Sequence, residues 1–312
     1  MKLAVEFPSV SYREGPAAVA ALARAIERIG YDHIDIFDHV VMGVPIEGRE
    51  RGPYNPQMPI LEALMGLAYM AAVTTRVTLG TEVLVLPQRQ PTLVAKQVST
   101  LDTLSGGRVR LGVGVGWQES EYEALGESFH DRGARMDEAI RLLRAYWTDA
   151  EVNMASAHYP TVSMAMEPKP PQGGRLPIWI GGLSEAAFRR VGRLGDGWLA
   201  SFTTPEQCKA ARVAIEDAAD AAGRTIDPEH FGAMVLYTHD AIPHLIAQVI
   251  RTRNPDAEIE DVVARGWPNL RGLCERYVAM GFSKLVLVPL DAPRDWDEEL
   301  AASAAEVLPI QG

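Results

Sequence analysis

Asp38 and His39 stand side by side at the end of an apolar run from Tyr31 to Phe37. An imidazole titrates near neutrality, so His39 is the best proton-handling group in the chain. The competing reading is a structural histidine that closes a loop. A second stretch, Leu111-Gly112-Val113-Gly114-Val115-Gly116-Trp117, follows the turn Ser105-Gly106-Gly107-Arg108 and leads into a helix start at Gln118-Glu119-Ser120-Glu121-Tyr122. Val109, Leu111, Val113 and Val115 alternate with Arg110 and three glycines, which is strand periodicity. Glycines on one face of a strand leave room for a ligand or for another backbone. A third stretch, Gly181-Gly182-Leu183-Ser184, also runs from a strand into a helix. Backbone N–H groups at a helix N-terminus bind anions. Two such glycine-rich ends facing one cleft point to a phosphate-bearing ligand; the alternative is that these glycines only serve tight turns.

Other candidates carry less. His33, Asp35, Asp38 and His39 are a weak metal set with no second cluster, so no metal is expected. Trp117 reads equally as a core aromatic and as a wall of a substrate pocket. His130, Arg132 and Arg135 are placed to fix a helix start, and His158, His230, His239 and His244 have no evident partner. Cys208 and Cys274 lie far apart on helix-like segments and read as two buried free thiols. Neither a G-x-S-x-G nor a Walker motif occurs.

The elements that must position these groups alternate. Apolar strand segments begin near residues 3, 31, 76, 108, 176, 196, 231 and 282, each followed by a helical pattern. Arg76 to Leu86 reads as one buried strand. Most strands are continuous apolar runs, as expected of a parallel sheet covered on both faces. A TIM (β/α)8 barrel is the natural closure, as a single domain over residues 1–312. A doubly wound sheet would place G-x-G-x-x-G near the first strand, whereas here G-x-G-x-G falls on the fourth. Three insertions, after strands 2, 4 and 7, break the alternation. Residues 42–58 read as a long loop, 148–175 as an irregular excursion, and 241–280 as helix in pieces, broken at Asn254-Pro255 and Trp267-Pro268.

Composition bounds the rest. With 312 residues, 47% of them hydrophobic, the chain can bury a large core. Its formal charge of −11 argues against a nucleic-acid partner. No apolar run approaches the ~18 residues of a membrane span, and no signal peptide is evident. The expectation is a cytoplasmic protein acting on a small molecule.

Six motifs in order carry a resemblance. They are Tyr31-Asp32-His33-Ile34-Asp35-Ile36-Phe37-Asp38-His39, Arg76-Val77-Thr78-Leu79-Gly80-Thr81, Ala95-Lys96-Gln97 with Leu101-Asp102-Thr103-Leu104-Ser105-Gly106-Gly107-Arg108, the glycine strand, Pro177-Ile178-Trp179-Ile180-Gly181-Gly182, and Gly195-Asp196-Gly197-Trp198. Together they resemble the luciferase-like monooxygenase superfamily, and within it the coenzyme F420-dependent oxidoreductases. The resemblance implies a bacterial-luciferase-like barrel that binds a deazaflavin or flavin across the strand ends, and a homodimer. It makes Asp38 and His39 the pair beside the ring, with His39 the proton-transfer group. It makes Thr81, Glu82 and Val83 a cofactor-binding segment with a non-prolyl cis peptide at Glu82–Val83. It assigns the ribityl and phosphate parts to Val115, Gly116, Gly181, Gly182, Leu183 and Ser184, with Gly114 and Gly116 clearing space. The family's sugar-phosphate dehydrogenases carry a glutamate where this chain has Trp117. Glu82 is larger and more acidic than the residues usual at its position. A lining of Met42, Val44, Tyr54 and Trp117 would suit a hydrophobic substrate. The leading expectation is hydride transfer with F420. The alternatives are a monooxygenase using reduced FMN and a barrel that only binds a ligand.

Overall fold

The computed structural model describes residues 1–8, 14–49, 52 and 54–311. Residues 50, 51 and 53 of the expected 42–58 loop lie outside the described residues. Eight parallel strands form the framework: β1 (Lys2–Glu6), β2 (His33–Ile36), β3 (Thr78–Thr81), β4 (Val109–Gly114), β5 (Ile178–Gly181), β6 (Gly197–Ala200), β7 (Phe231–Thr238) and β8 (Lys284–Pro289). Each pairs with the next in chain order, and β8 returns to β1 with Ala4 opposite Val286. The sheet is therefore a closed (β/α)8 barrel.

Helices α1 (Pro16–Ile29), α2 (Ala63–Ala71), α3 (Pro91–Ser105), α4 (Glu119–Ala124), α5 (Arg132–Thr148), α6 (Glu185–Leu194), α7 (Pro205–Ala221), α8 (His244–Arg253), α9 (Gly266–Ala279) and α10 (Trp296–Val307) accompany the strands. Their ends follow local chemistry. Pro91 opens α3, where its missing N–H would have had no helical partner anyway. Thr204 and Gln207 form a reciprocal capping box before α7. Alternate strand residues such as Leu3, Val5, Ile34 and Leu79 pack outward against the helices as one main core. Cys208 and Cys274 are buried there as free thiols.

Three segments differ from the sequence reading. Arg76 to Leu86 is not one strand: β3 ends at Thr81, the Glu82–Val83 peptide is cis, and Leu84–Val85 then pairs with Val113 and Gly114 of β4. The 148–175 excursion contains an antiparallel pair, Val152–Met154 with Thr161–Met164. Trp267-Pro268 does not break a helix but lies in the first turn of α9, where the backbone N–H groups have no helical acceptor. Before it, Val263–Arg265 adds a short parallel strand beside β7.

The glycine strand acquires a definite role here. A Cβ on Gly112 would lie 2.0 Å from the Thr81 carbonyl oxygen, and one on Gly114 would lie 2.7 Å from a Val83 methyl. Gly116 takes φ +67°, and its Cβ would lie 2.6 Å from Val85. Gly181 of β5 faces Val83 at 3.4 Å. What approaches the glycines is thus the continuation of β3. At Gly114 and Gly116, expected to clear space for a cofactor tail, the space a Cβ would take is held by the Val83 and Val85 side chains.

Gly112→Ala should therefore cost about 3 kcal/mol, because the atom it meets is backbone. Gly272→Ala in α9, where a Cβ meets nothing within 4 Å, should be neutral or gain up to about 1 kcal/mol. Denaturant midpoints by circular dichroism check both, and equal midpoints would show that β3 yields freely.

Candidate functional site

The C-terminal strand ends open into a cavity of about 530 Å³. Asp38, His39, Glu82, Val83, Gly114, Val115, Gly116, Trp117, Gly181, Gly182, Leu183 and Tyr54 all line it, so most residues singled out in the sequence meet in one place. Thr81 and Ser184 do not. The Thr81 hydroxyl donates to the Gly112 carbonyl at 2.6 Å, and the Ser184 hydroxyl caps α6 by accepting from the Ala187 N–H. Met42 and Val44 are also outside the lining; Val44 is 53% exposed, and the Met42 sulfur faces Gln118. The apolar character comes instead from Phe37, Met58, Phe202, Met234, Leu236, Leu245 and Ile246. Few of these could be placed in advance, because their chain segments carry no motif.

His39 is buried and held from two sides. Its Nδ1 lies 2.8 Å from Glu121 Oε2. The other Glu121 oxygen accepts from the Val40 N–H at 2.6 Å and the Val41 N–H at 3.4 Å. Gln118 accepts from the Gly43 N–H and donates to the Val41 carbonyl. Chain leaving β4 therefore clamps chain leaving β2. Burial works against the Glu121 charge, but the bonds from His39, Val40 and Val41 outweigh it and lower its pKa below 4.5. An ionised carboxylate only accepts, so it places the imidazole proton on Nδ1 and leaves the Nε2 lone pair free. Nε2 makes no hydrogen bond among the described residues. Phe37, Tyr54 and Trp117 surround the ring at centroid distances of 5.0, 6.0 and 5.4 Å. Glu121 was missed in the sequence because an acidic residue in a first helical turn is ordinary. Its burial is what marks it.

Asp38 is occupied differently. Its carboxylate accepts from Arg89 at 2.7 Å and from the Val85 N–H at 3.0 Å. Burial pushes its pKa up while the Arg89 guanidinium pulls it back. Asp38 thus ties the end of β2 to the segment after the cis peptide. The floor of the cavity is acidic. Burial, with the Asp35 charge, raises the pKa of Glu6 to about 8. Burial, with Asp35 and Glu6, pushes Glu82 well above the ordinary carboxylate value against Arg110. At the mouth, the Arg253 guanidinium lies over the Phe202 and Trp117 rings, at 5.4 and 5.9 Å.

The weak metal set weighed in the sequence, His33, Asp35, Asp38 and His39, does not assemble. Asp35 is paired with Arg110, Asp38 with Arg89, and His39 with Glu121. Among the described residues, no group of three or more His, Cys, Asp or Glu side chains is placed to hold a metal ion. Three other histidines find partners invisible in the sequence: His158 with Glu138 and Asp131, His230 with the Asp196 carbonyl, and His239 with Glu299. No helix among the described residues is long and apolar enough to cross a membrane.

Glu121→Gln should reverse the imidazole. The introduced amide would donate its N–H to His39 Nδ1, moving the ring proton to Nε2. Nitrogen-15 NMR of the histidines should show the two ring shifts exchanged for His39 alone; an unchanged pattern would remove Glu121 from this role.

The comparisons with known proteins agree with this geometry. The luciferase-like monooxygenase family model matches residues 2–257. An F420-dependent glucose-6-phosphate dehydrogenase of Nocardia farcinica is 30% identical over 259 residues, covering 80% of this chain and 73% of that protein. Among solved structures, an F420-dependent secondary alcohol dehydrogenase in complex with an F420-acetone adduct superposes with TM-score 0.78 at 18% identity, over 100% of this chain and 99% of that one. The FMN complex of the oxygenating constituent of 3,6-diketocamphane monooxygenase from Pseudomonas putida superposes with TM-score 0.78 at 16% identity, over 99% and 98% of the two chains. With its barrel closed, its strand-end cavity formed and the family match running over most of its length, this chain belongs to the luciferase-like monooxygenase family.

Proposed function

We propose that this protein is an F420-dependent oxidoreductase that moves a hydride between the deazaflavin and a small hydrophobic substrate. The observation that carries the reading is the His39–Glu121 pair in the wall of an aromatic cavity. The F420-dependent relative at 30% identity supports the choice of cofactor. The cavity fits a planar ring: its walls are aromatic and apolar, and the buried Glu82 is among its lining residues, with neither carboxyl oxygen bonded among the described residues. Val83 and Val115 would pack on the ring. Gly182 and Leu183 would lead its tail toward the N-terminus of α6, whose backbone N–H groups suit a phosphate.

When bound, F420 supplies the hydride acceptor or donor. His39 moves the accompanying proton through Nε2. Glu121 holds the ring in that tautomer and stabilises the imidazolium once Nε2 is protonated. Phe37, Tyr54 and Trp117 keep water from the imidazole and orient an apolar substrate. Trp117 occupies the position of the glutamate found in the sugar-phosphate dehydrogenases and puts an aromatic ring in the cavity wall there. The reading is therefore a hydrophobic alcohol or carbonyl compound rather than a sugar phosphate.

A second reading, a monooxygenase using reduced FMN, is favoured by the FMN-bound structural neighbour. Fluorescence titration separates the two: F420 should bind at least about tenfold more tightly than FMN, and the reverse order would replace the first reading by the second. His39→Ala should keep the F420 dissociation constant within about threefold and lower F420 reduction by hydrophobic secondary alcohols about 10²–10⁴-fold. Undiminished reduction would remove His39 from proton transfer.

We also propose a homodimer through α2 and α3. Leu61, Met65 and Tyr69, spaced four apart, are 40%, 70% and 42% exposed, and Leu93 on α3 is 57% exposed. Sedimentation should give a dimer for the natural chain and a monomer for Met65→Glu; a dimer in both would place the interface elsewhere.

A further inference from the structure

Glu82 is the one departure at the cavity floor that the hydride-transfer reading leaves unused. Glu82 is 5% exposed, and neither carboxyl oxygen has a hydrogen-bond partner among the described residues. Asp38 and Glu121 are satisfied, by Arg89 and Val85 and by His39 and Val40, and Asp35 keeps one oxygen on Arg110, whereas both oxygens of Glu82 are unbonded. An unsatisfied buried polar group costs free energy that a ligand can recover. Glu82 also borders the cavity, next to Val83. Its surroundings disfavour the charged form. Glu6 reaches the same floor from β1, Asp35 approaches from β2, and only Arg110 of β4 opposes them. Arg110 is itself committed to Asp35, and Lys284 of β8 lies against the same Trp179 ring as Arg110. A protonated carboxyl has one O–H to donate and a carbonyl to accept.

Deazaflavins and flavins share an edge of amide-type carbonyls and an N–H. We propose that the Glu82 side chain is a cofactor ligand, its carboxyl O–H donating a hydrogen bond to a carbonyl on that edge. The proposal rests on the cavity being the cofactor site. It does not depend on which of the two cofactors is native. Glu82 thereby makes cofactor affinity depend on pH. A carboxyl whose pKa is raised donates while protonated, so the bond is present below that pKa and is lost as pH rises through it. Glu6, whose pKa burial raises to about 8, lies at the same floor, so its contribution has to be separated.

The test titrates the full-length protein with F420 and with FMN from about pH 6.5 to about pH 9.5, reading dissociation constants by fluorescence. The ratio of wild type to Glu82→Gln at each pH cancels the cofactor's own ionisation. Gln keeps an N–H donor and cannot deprotonate, so the wild type should weaken by roughly tenfold relative to E82Q across the range. E82L should bind about tenfold more weakly than E82Q at every pH, with its thermal midpoint showing that it folds. The slope should persist in Glu6→Gln. Parallel wild-type and E82Q curves, an E82L that binds like wild type, or a slope that disappears in E6Q would each overturn the proposal. If FMN alone binds and shows the slope, the F420 reading fails and the role of Glu82 stands. If F420 binds without the slope, the reverse holds. If neither binds, both fall.

Discussion

The carbonyl oxygen of Thr81 comes so close to the Gly112 α-carbon that no side chain fits between them. Most of the site follows from that approach. Because β4 is bare at Gly112 and Gly114, the chain after β3 moves inward, and Val83 sits against glycines of β4 and β5. The barrel is plugged there by an aliphatic side chain from a strand end rather than by residues of the glycine strand. Leu84–Val85 then pairs with β4 again, and Val85 presents its N–H to Asp38. One steric concession on β4 thus sets the cavity floor and ties β3 to β2.

A second clamp acts on the other side of the cavity. The chain leaving β4 turns at Trp117 and returns Gln118 and Glu121 to the loop after β2. Val40, Val41 and Gly43 are at least partly exposed, but these bonds fix their backbone groups against the chain leaving β4. Glu121 satisfies two of these backbone groups while orienting His39. A residue that stabilises a loop and a residue that fixes an imidazole tautomer are here the same residue. This economy keeps the imidazole rigid, since moving His39 would also disturb the carboxylate that bonds the loop.

The barrel interior is unusually polar beneath the cavity. Asp35 and Arg110 pair across β2 and β4, and both Arg110 and Lys284 lie on the Trp179 ring. Two cations there face three carboxyl groups, Glu6, Asp35 and Glu82, and low-dielectric surroundings raise the cost of every unbalanced charge. The imbalance is relieved at Glu6 and Glu82, whose pKa values are pushed up. Burial at the floor therefore disfavours the anionic forms that a charge count from the sequence would place there. Above it stands the aromatic wall of Phe37, Tyr54 and Trp117.

The barrel was legible in the sequence because its cause is local and periodic. Apolar runs bounded by Pro and Gly, alternating with amphipathic helices, leave few closures other than a parallel barrel. Asp38, His39 and the glycine-rich ends could be placed at the C-terminal rim for the same reason. The cis peptide at Glu82–Val83 came from the family resemblance rather than from any local signal. What lay beyond the sequence was decided by contacts between segments far apart in the chain. His39 meets Glu121 across 82 positions, and Asp38 meets Arg89 across 51. No spacing rule couples such residues. The glycines of β4 show the limit most clearly. Their sequence says that something must come close, and periodicity puts them on a strand end. Only the tertiary structure decides that the neighbour is the chain after β3, because which surface fills a space depends on how the strands stagger as the barrel closes.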